Sequence, residues 1–162
     1  HHVVVDRDDE REVLLCGGEV THGSNLSTVV GGAEGGTMSE NGTVPLAYVA
    51  GPLFDEGERW WMETVEHRVA SAGLSTFLPH RDNPPKTADN VRLIFERNRA
   101  ALDRCDLVVA SLNGLTTDDG TAWEIGYAHA RGVPVIGLHT DWRRRFDDQV
   151  VNLMLEIGRA HV

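Results

Sequence analysis

Between Val44 and Leu138 the chain alternates apolar runs of strand length with amphipathic stretches of helix length, and that alternation admits few folds. Val44–Ala50 (VPLAYVA) is a short apolar run stopped by Gly51-Pro52, as expected of a buried strand. A helix is predicted over Glu56–Ala72, with Trp60, Met62, Val65 and Val69 among its apolar positions and Gly73 as its stop. Leu74–Leu78 is predicted as a second strand, ended by Pro79, and a loop holding Pro84-Pro85 leads into a helix over about Asp89–Arg104. Asp106–Leu112 is the most apolar run. The chain then turns polar over Asn113–Asp119, forms a predicted helix over Gly120–Arg131 and closes with a fourth strand at Val133–Leu138. Strands alternating with helices imply a parallel sheet, since each return must cross over a face. The expected fold is therefore α/β, a flavodoxin- or Rossmann-like parallel sheet of four to five strands with helices on both faces and right-handed crossovers. Ligands in such sheets bind beyond the carboxyl ends of the strands, here the polar loops after Ala50, Leu78 and Leu112.

The flanks differ in character. Residues 1–43 carry Gly17-Gly18, Gly31-Gly32 and Gly35-Gly36 among Ser, Thr and Asn, with little periodicity. Such a stretch loses more chain entropy on ordering than it can recover by burial. It is expected to be a flexible or non-native extension with one short strand at Glu12–Leu15, and the domain proper is expected to start near Met38. Residues 156–162 match the in-frame translation of a common sequencing adapter and are expected to be non-native. The domain is taken as residues 44–155, with a truncated C-terminus.

Composition excludes several function classes. Fifteen basic against 25 acidic residues give a formal net charge of −10 in 162 residues, a surface that repels a nucleic-acid backbone. Arg143-Arg144-Arg145, followed by Phe146-Asp147-Asp148, reads as a solvated, locally paired cluster. No apolar run approaches the roughly 18 residues of a membrane span. Cys16 and Cys105 are too few for a disulfide framework or a zinc site, which fits a reducing, cytoplasmic setting. His67, His80, His129 and His139 show no metal-ligand spacing, although His80 lies where it could touch a ligand. Neither GxxxxGK[ST] nor GxGxxG occurs, so no nucleotide cofactor and no metal are expected.

Asp118-Asp119-Gly120-Thr121-Ala122-Trp123-Glu124-Ile125-Gly126-Tyr127-Ala128 is the most informative segment. It runs from a strand's carboxyl end into a helix, where Asp118 or Asp119 can cap the first turn. Glu124 falls early in that helix, where the local potential favours the carboxylate and apolar neighbours strip its water. Those are the requirements of a carboxylate nucleophile. Taken alone, the pattern is more often only a turn, a cap and a surface charge.

Further segments lie in order around it: Tyr48-Val-Ala-Gly51-Pro52-Leu-Phe54, Leu78-Pro79 with Asp82-Asn83, Cys105-Asp106 opening a strand, and Asn152-Leu153-Met154. Together with Asp118-x-Gly120-Thr121-Ala122-x-Glu124-x-Gly126-Tyr127-Ala128, this set resembles the nucleoside 2-deoxyribosyltransferase family over about Tyr48–Leu155. The resemblance implies a transferase of nucleotide salvage. Glu124 would attack C1′ of a 2′-deoxynucleoside, and a second base would attack the glycosyl-enzyme, with net retention. It assigns Tyr48 to orienting the glutamate, Asp118 and Asn152 to the sugar 5′-hydroxyl, and Met154 to packing near the nucleophile. Asn152 and Met154 would come from a neighbouring subunit, so the active form would be a homo-oligomer. Gly51, Pro52, Phe54, Asp82 and Gly120 complete the implied substrate-binding set.

Relatives that cleave nucleoside 5′-monophosphates carry small hydroxyl residues in place of Asp118 and Asn152. A carboxylate repels a phosphate dianion and accepts well from a free hydroxyl, so Asp118 favours unphosphorylated nucleosides. One departure stands out. Many members carry an acid where this chain has Asn98, and an amide cannot protonate a leaving base. Asp82, Asp89 or a water could serve instead. The partners expected are a deoxynucleoside and a free purine or pyrimidine base. The alternatives are an N-glycoside hydrolase of (deoxy)nucleosides or their 5′-monophosphates, and a non-catalytic nucleoside-sensing module.

Overall fold

The computed structural model describes residues 13–16, 44–141 and 151–156. The arginine cluster at 143–145 and the tail beyond 156 lie outside them. Five strands form one sheet: β1 (Val13–Cys16), β2 (Leu46–Ala50), β3 (Ser75–Phe77), β4 (Leu107–Ser111) and β5 (Val135–Leu138), in the order β1-β5-β4-β2-β3. β2 pairs parallel with both β3 and β4, and β4 pairs parallel with β5. The predicted strand near Glu12 lies at Val13–Cys16 and joins β5 antiparallel, so the sheet is mixed at that edge rather than parallel throughout.

The helices are α1 (Glu56–Ser71), α2 (Pro79–Asp82), α3 (Val91–Arg104), α4 (Asp119–Ala130) and α5 (Leu153–Glu156). From β2 the chain winds outward to β3, then returns past β2 to β4 and on to β5. Crossovers of one hand must then place α1 on one face and α3 with α4 on the other. The core divides accordingly. Val49 and Val109 pack with Met62 and Val65 of α1, whereas Tyr48, Ala50, Val108 and Ala110 pack with Ala101, Leu102, Ile125 and Ala128 of α3 and α4. Neighbouring residues of β2 and β4 thus serve opposite layers, as strand alternation requires.

Local chemistry sets the helix limits. α1 opens with a capping box in which Asp55 accepts from Glu58 N at 2.7 Å and Glu58 accepts from Asp55 N at 3.2 Å. Past its end, Gly73 takes φ 89°, a left-handed turn suited to glycine. α3 starts later than predicted because Asn90 folds the preceding turn, accepting from Thr87 N and donating to Pro85 O. The single turn α2 was expected as loop. Pro79 stands at its first position, and Asp82 Oδ2 accepts from Leu78 N at 2.8 Å.

Candidate active site

β2 and β4 are the adjacent strands from which the chain winds in opposite directions, so the loops beyond their carboxyl ends diverge and leave a crevice. A cleft of about 350 Å³ lies among Lys86, Val91, Ile94, Phe95, Asn98, Gly120, Trp123 and Glu124. Its walls are two helical faces. Val91, Ile94, Phe95 and Asn98 stand at i, i+3, i+4 and i+7 of α3, and Gly120, Trp123 and Glu124 at i, i+3 and i+4 of α4. Phe95 and Trp123 meet with ring centroids 5.6 Å apart, and Trp123 stacks on Tyr127 at 5.1 Å. Both cleft aromatics stay about half exposed (47% and 46%) with their planes tilted 59° to each other, an apolar surface open to a ligand.

Glu124 lies at the bottom of this wall. Tyr48, 0% exposed and stacked on Phe77, donates its hydroxyl to Glu124 Oε1 at 2.5 Å. No residue among those described hydrogen-bonds Oε2, which leaves one carboxylate oxygen oriented and the other available. Loss of hydration pushes the Glu124 carboxyl up to about 7; the Tyr48 hydrogen bond opposes this and the Asp118 charge adds to it. The expectation that the helix N-terminus would favour the ionised form is overturned. Glu124 is the sixth residue of α4, beyond the first turn where that potential acts, so desolvation prevails. Burial and the neighbouring carboxylate hold the Tyr48 hydroxyl far above the usual phenol range, so it remains a donor.

Asp118 is the N-cap of α4. Its Oδ2 accepts from Thr121 N at 2.8 Å and from Thr121 Oγ1 at 2.9 Å, leaving Oδ1 uncommitted by any hydrogen bond among the described residues. Gly120 follows it closely: a Cβ there would lie 3.1 Å from Asp118 Oδ2. Gly51 is fixed by packing, since a Cβ would fall 2.3 Å from Met62 Sδ in the α1 layer. Asn98 is half-buried in the cleft wall, with its Oδ1 accepting from Asn83 Nδ2 at 2.7 Å.

The structure brings Glu124, Tyr48, Asn98, Gly120 and Asp118 together, and it does not bring the remaining candidates to the cleft wall. Pro52 sits in the loop after β2, and Phe54 beyond it is 76% exposed. Asp82 is held by Arg81 and by Leu78 N. Although burial pushes the other way, those contacts keep its carboxyl below the ordinary value, so it is poorly suited to give up a proton near neutrality. Asp89 is exposed and does not line the cleft. His80 is paired with Glu63 of α1 at 2.8 Å, not turned to the cleft. Asn152 accepts from Met154 N at 2.9 Å, while Met154 is 78% exposed and lines no part of this chain's own cleft. The sequence reading missed Lys86, Val91, Ile94, Phe95 and Trp123. The signal for Val91, Ile94 and Phe95 was the apolar face of α3 interrupted at its fourth position by Asn98; Lys86 and Trp123 carried none. Among the described residues no cluster of His, Cys, Asp or Glu could hold a metal ion, and no helix is long and apolar enough to cross a membrane.

Solved structures share this fold. A conserved protein from Enterococcus faecalis is 25% identical, with a TM-score of 0.62 over 72% of this chain and 86% of its own. The 2-deoxyribosyltransferase of Bacillus psychrosaccharolyticus, at 21% identity, has the same fold with a TM-score of 0.61, covering 70% of this chain and 82% of that one. A 2-deoxyribosyltransferase from Leishmania mexicana is 26% identical, with a TM-score of 0.54 over 68% and 85% of the two chains. No curated protein sequence matches. The family model of nucleoside 2-deoxyribosyltransferases matches residues 47–154, a span that contains β2 from its second residue, β3 through β5 and every residue of the cleft. The chain therefore belongs to the nucleoside 2-deoxyribosyltransferase family.

Proposed function

We propose that this protein exchanges the base of 2′-deoxynucleosides through a covalent deoxyribosyl-Glu124 intermediate with net retention. The observation that carries this reading is the division of labour on Glu124: Tyr48 holds Oε1, while no described residue hydrogen-bonds Oε2 beside the aromatic wall. In the first step Oε2 forms a bond to C1′ as the bond from C1′ to the departing base breaks, the electron pair leaving with the base. In the second step a nitrogen of the incoming base attacks C1′ and the carboxylate departs. Two inversions restore the starting configuration.

Tyr48 lowers the basicity of Glu124 against the desolvation that raises it, keeping enough carboxylate near neutral pH for attack. Phe95 and Trp123 offer a stacking surface for a planar base, and Asn98 a hydrogen-bonding edge. Asp118 Oδ1 suits a free 5′-hydroxyl and repels a phosphate, which favours unphosphorylated nucleosides. Asn152 and the exposed Met154 suit the cleft of a neighbouring copy, giving a homo-oligomer with shared sites. No polymeric nucleic acid and no cofactor take part.

Hydrolysis is the second reading, favoured by the half-exposed rings of Phe95 and Trp123, which leave the cleft accessible to water in a single copy. The experiment is incubation of deoxyinosine with adenine or cytosine, using wild type and Glu124→Ala. A new deoxynucleoside formed by wild type alone supports the transferase. Hypoxanthine released without a new nucleoside supports the hydrolase, and binding without turnover a sensing module.

A further inference from the structure

Asn83 follows α2 and reaches under α3, where its Nδ2 lies 2.8 Å from Pro79 O and 2.7 Å from Asn98 Oδ1. A backbone carbonyl only accepts, so the Asn83 atom facing Pro79 must be the amide nitrogen. That same nitrogen faces Asn98, so the Asn98 atom opposite must be the oxygen. One carbonyl thereby sets the orientation of two amides. Turning Asn83 over would set its oxygen against both the Pro79 carbonyl and Asn98 Oδ1. The turn carrying Asn83 is itself held, by Arg97 donating to Asp82 O at 2.7 Å and by Asp82 Oδ2 accepting from Leu78 N.

We infer that Asn83 is a positioning residue that locks the Asn98 amide with its nitrogen, and not its oxygen, as the polar atom offered to a base in the cleft. The inference rests on the base-exchange reading and adds a rule to it. Asn98 Nδ2 has two hydrogens, and no hydrogen bond from it occurs among the described residues. The base edge that meets it must supply lone pairs. A 6-oxopurine presents O6 and N7, two acceptors side by side, whereas a 6-aminopurine presents N7 beside amino hydrogens that oppose a donor. Donor-only recognition of this kind discriminates because the mismatched pair leaves buried polar groups unsatisfied.

The test is the ratio of kcat/KM for deoxyinosine over deoxyadenosine, each with a common acceptor base, in wild type, Asn83→Ala and Asn83→Asp. Wild type is expected to favour deoxyinosine by about tenfold or more. Asn83→Ala frees the Asn98 amide to rotate and should bring the ratio towards one. Asn83→Asp replaces the donor with an acceptor-only group, draws Asn98 Nδ2 to itself and should push the ratio below that of Asn83→Ala. A purely structural role would lower both substrates by the same factor and leave the ratio untouched, and that result overturns the inference. Calorimetric binding of hypoxanthine and adenine to the same three proteins reads the ratio without turnover. Discrimination in binding with no exchange would sink the transferase reading alone. Equal binding of the two bases by wild type would sink the lock.

Discussion

Tyr48 and Glu124 stand 76 residues apart in sequence and share one hydrogen, the Tyr48 hydroxyl donating to Glu124 Oε1 at 2.5 Å. Tyr48 is buried in β2, an inner strand of the sheet, and Glu124 sits on the covering helix, so the contact exists only once α4 has docked on β2 and β4. Glu124 is thus oriented by the sheet, not by its own helix. Removing the hydroxyl with Tyr48→Phe takes away the contact that lowers the Glu124 pKa. The acidic limb of the kcat/KM profile, centred near 7 in wild type, is expected to move to higher pH. Initial rates between pH 5 and pH 9 check this; an unmoved limb assigns it to another group.

Glu124 carries a stability cost of definite sign. Its folded pKa of about 7 lies above its ordinary value of 4.5, so the native state binds more protons than the unfolded one between those pH values. Stability from this group is therefore full below the ordinary value and falls as pH rises through 7. Glu124→Gln should raise Tm relative to wild type at pH 8 and have little effect at pH 5. Differential scanning fluorimetry at the two pH values decides the matter. An equal shift at both means that packing, not charge, is responsible.

Asn98 offers no proton to a leaving base. Asn98→Asp keeps the shape and supplies an acid still within reach of the Asn83 donor. The variant should show a higher kcat with purine deoxynucleosides at pH 5 to 6 and a new alkaline limb where that acid ionises. An unchanged pH profile would place proton delivery with solvent.

Gly51 touches Met62 where α1 crosses the end of β2. Gly51→Ala forces Met62 from its buried seat and should cost about 1–3 kcal/mol, as overpacking of a filled core does. Urea denaturation measures it. A cost near zero would show that Met62 has room to move aside.

If sites are completed across copies, two defects in different halves of the site should complement. Glu124→Ala mixed with Asn152→Ala is expected to recover up to about a quarter of wild-type activity after joint refolding, since random pairing in a symmetric dimer makes that fraction of sites intact. Activity no higher than the sum of the separate variants means that each chain builds its own site.

The alternation of strand and helix was legible because each element has a period of its own. The short α2 was not, since one turn carries no period and depends on Asp82 closing onto Leu78 N. The antiparallel seat of β1 beside β5 was equally hidden, because the partner of an isolated four-residue strand is a long-range choice. At the site, Glu124 and Asp118 stood out through their segment, and Tyr48 only through the family resemblance. The aromatic wall was missed because nothing local marks Phe95 or Trp123 as exposed, and exposure is decided by what packs above them. The charge state of Glu124 was misjudged for a related reason: distance from the helix start is local, whereas loss of water is a property of the assembled layers.

Tyr48 and Val49 are adjacent on one strand, yet one faces Glu124 and the other faces α1. The ribbon works as a partition. Chemistry is kept on one side and ballast on the other, so sequence drift in the α1 layer can tune robustness while the reactive side keeps its geometry.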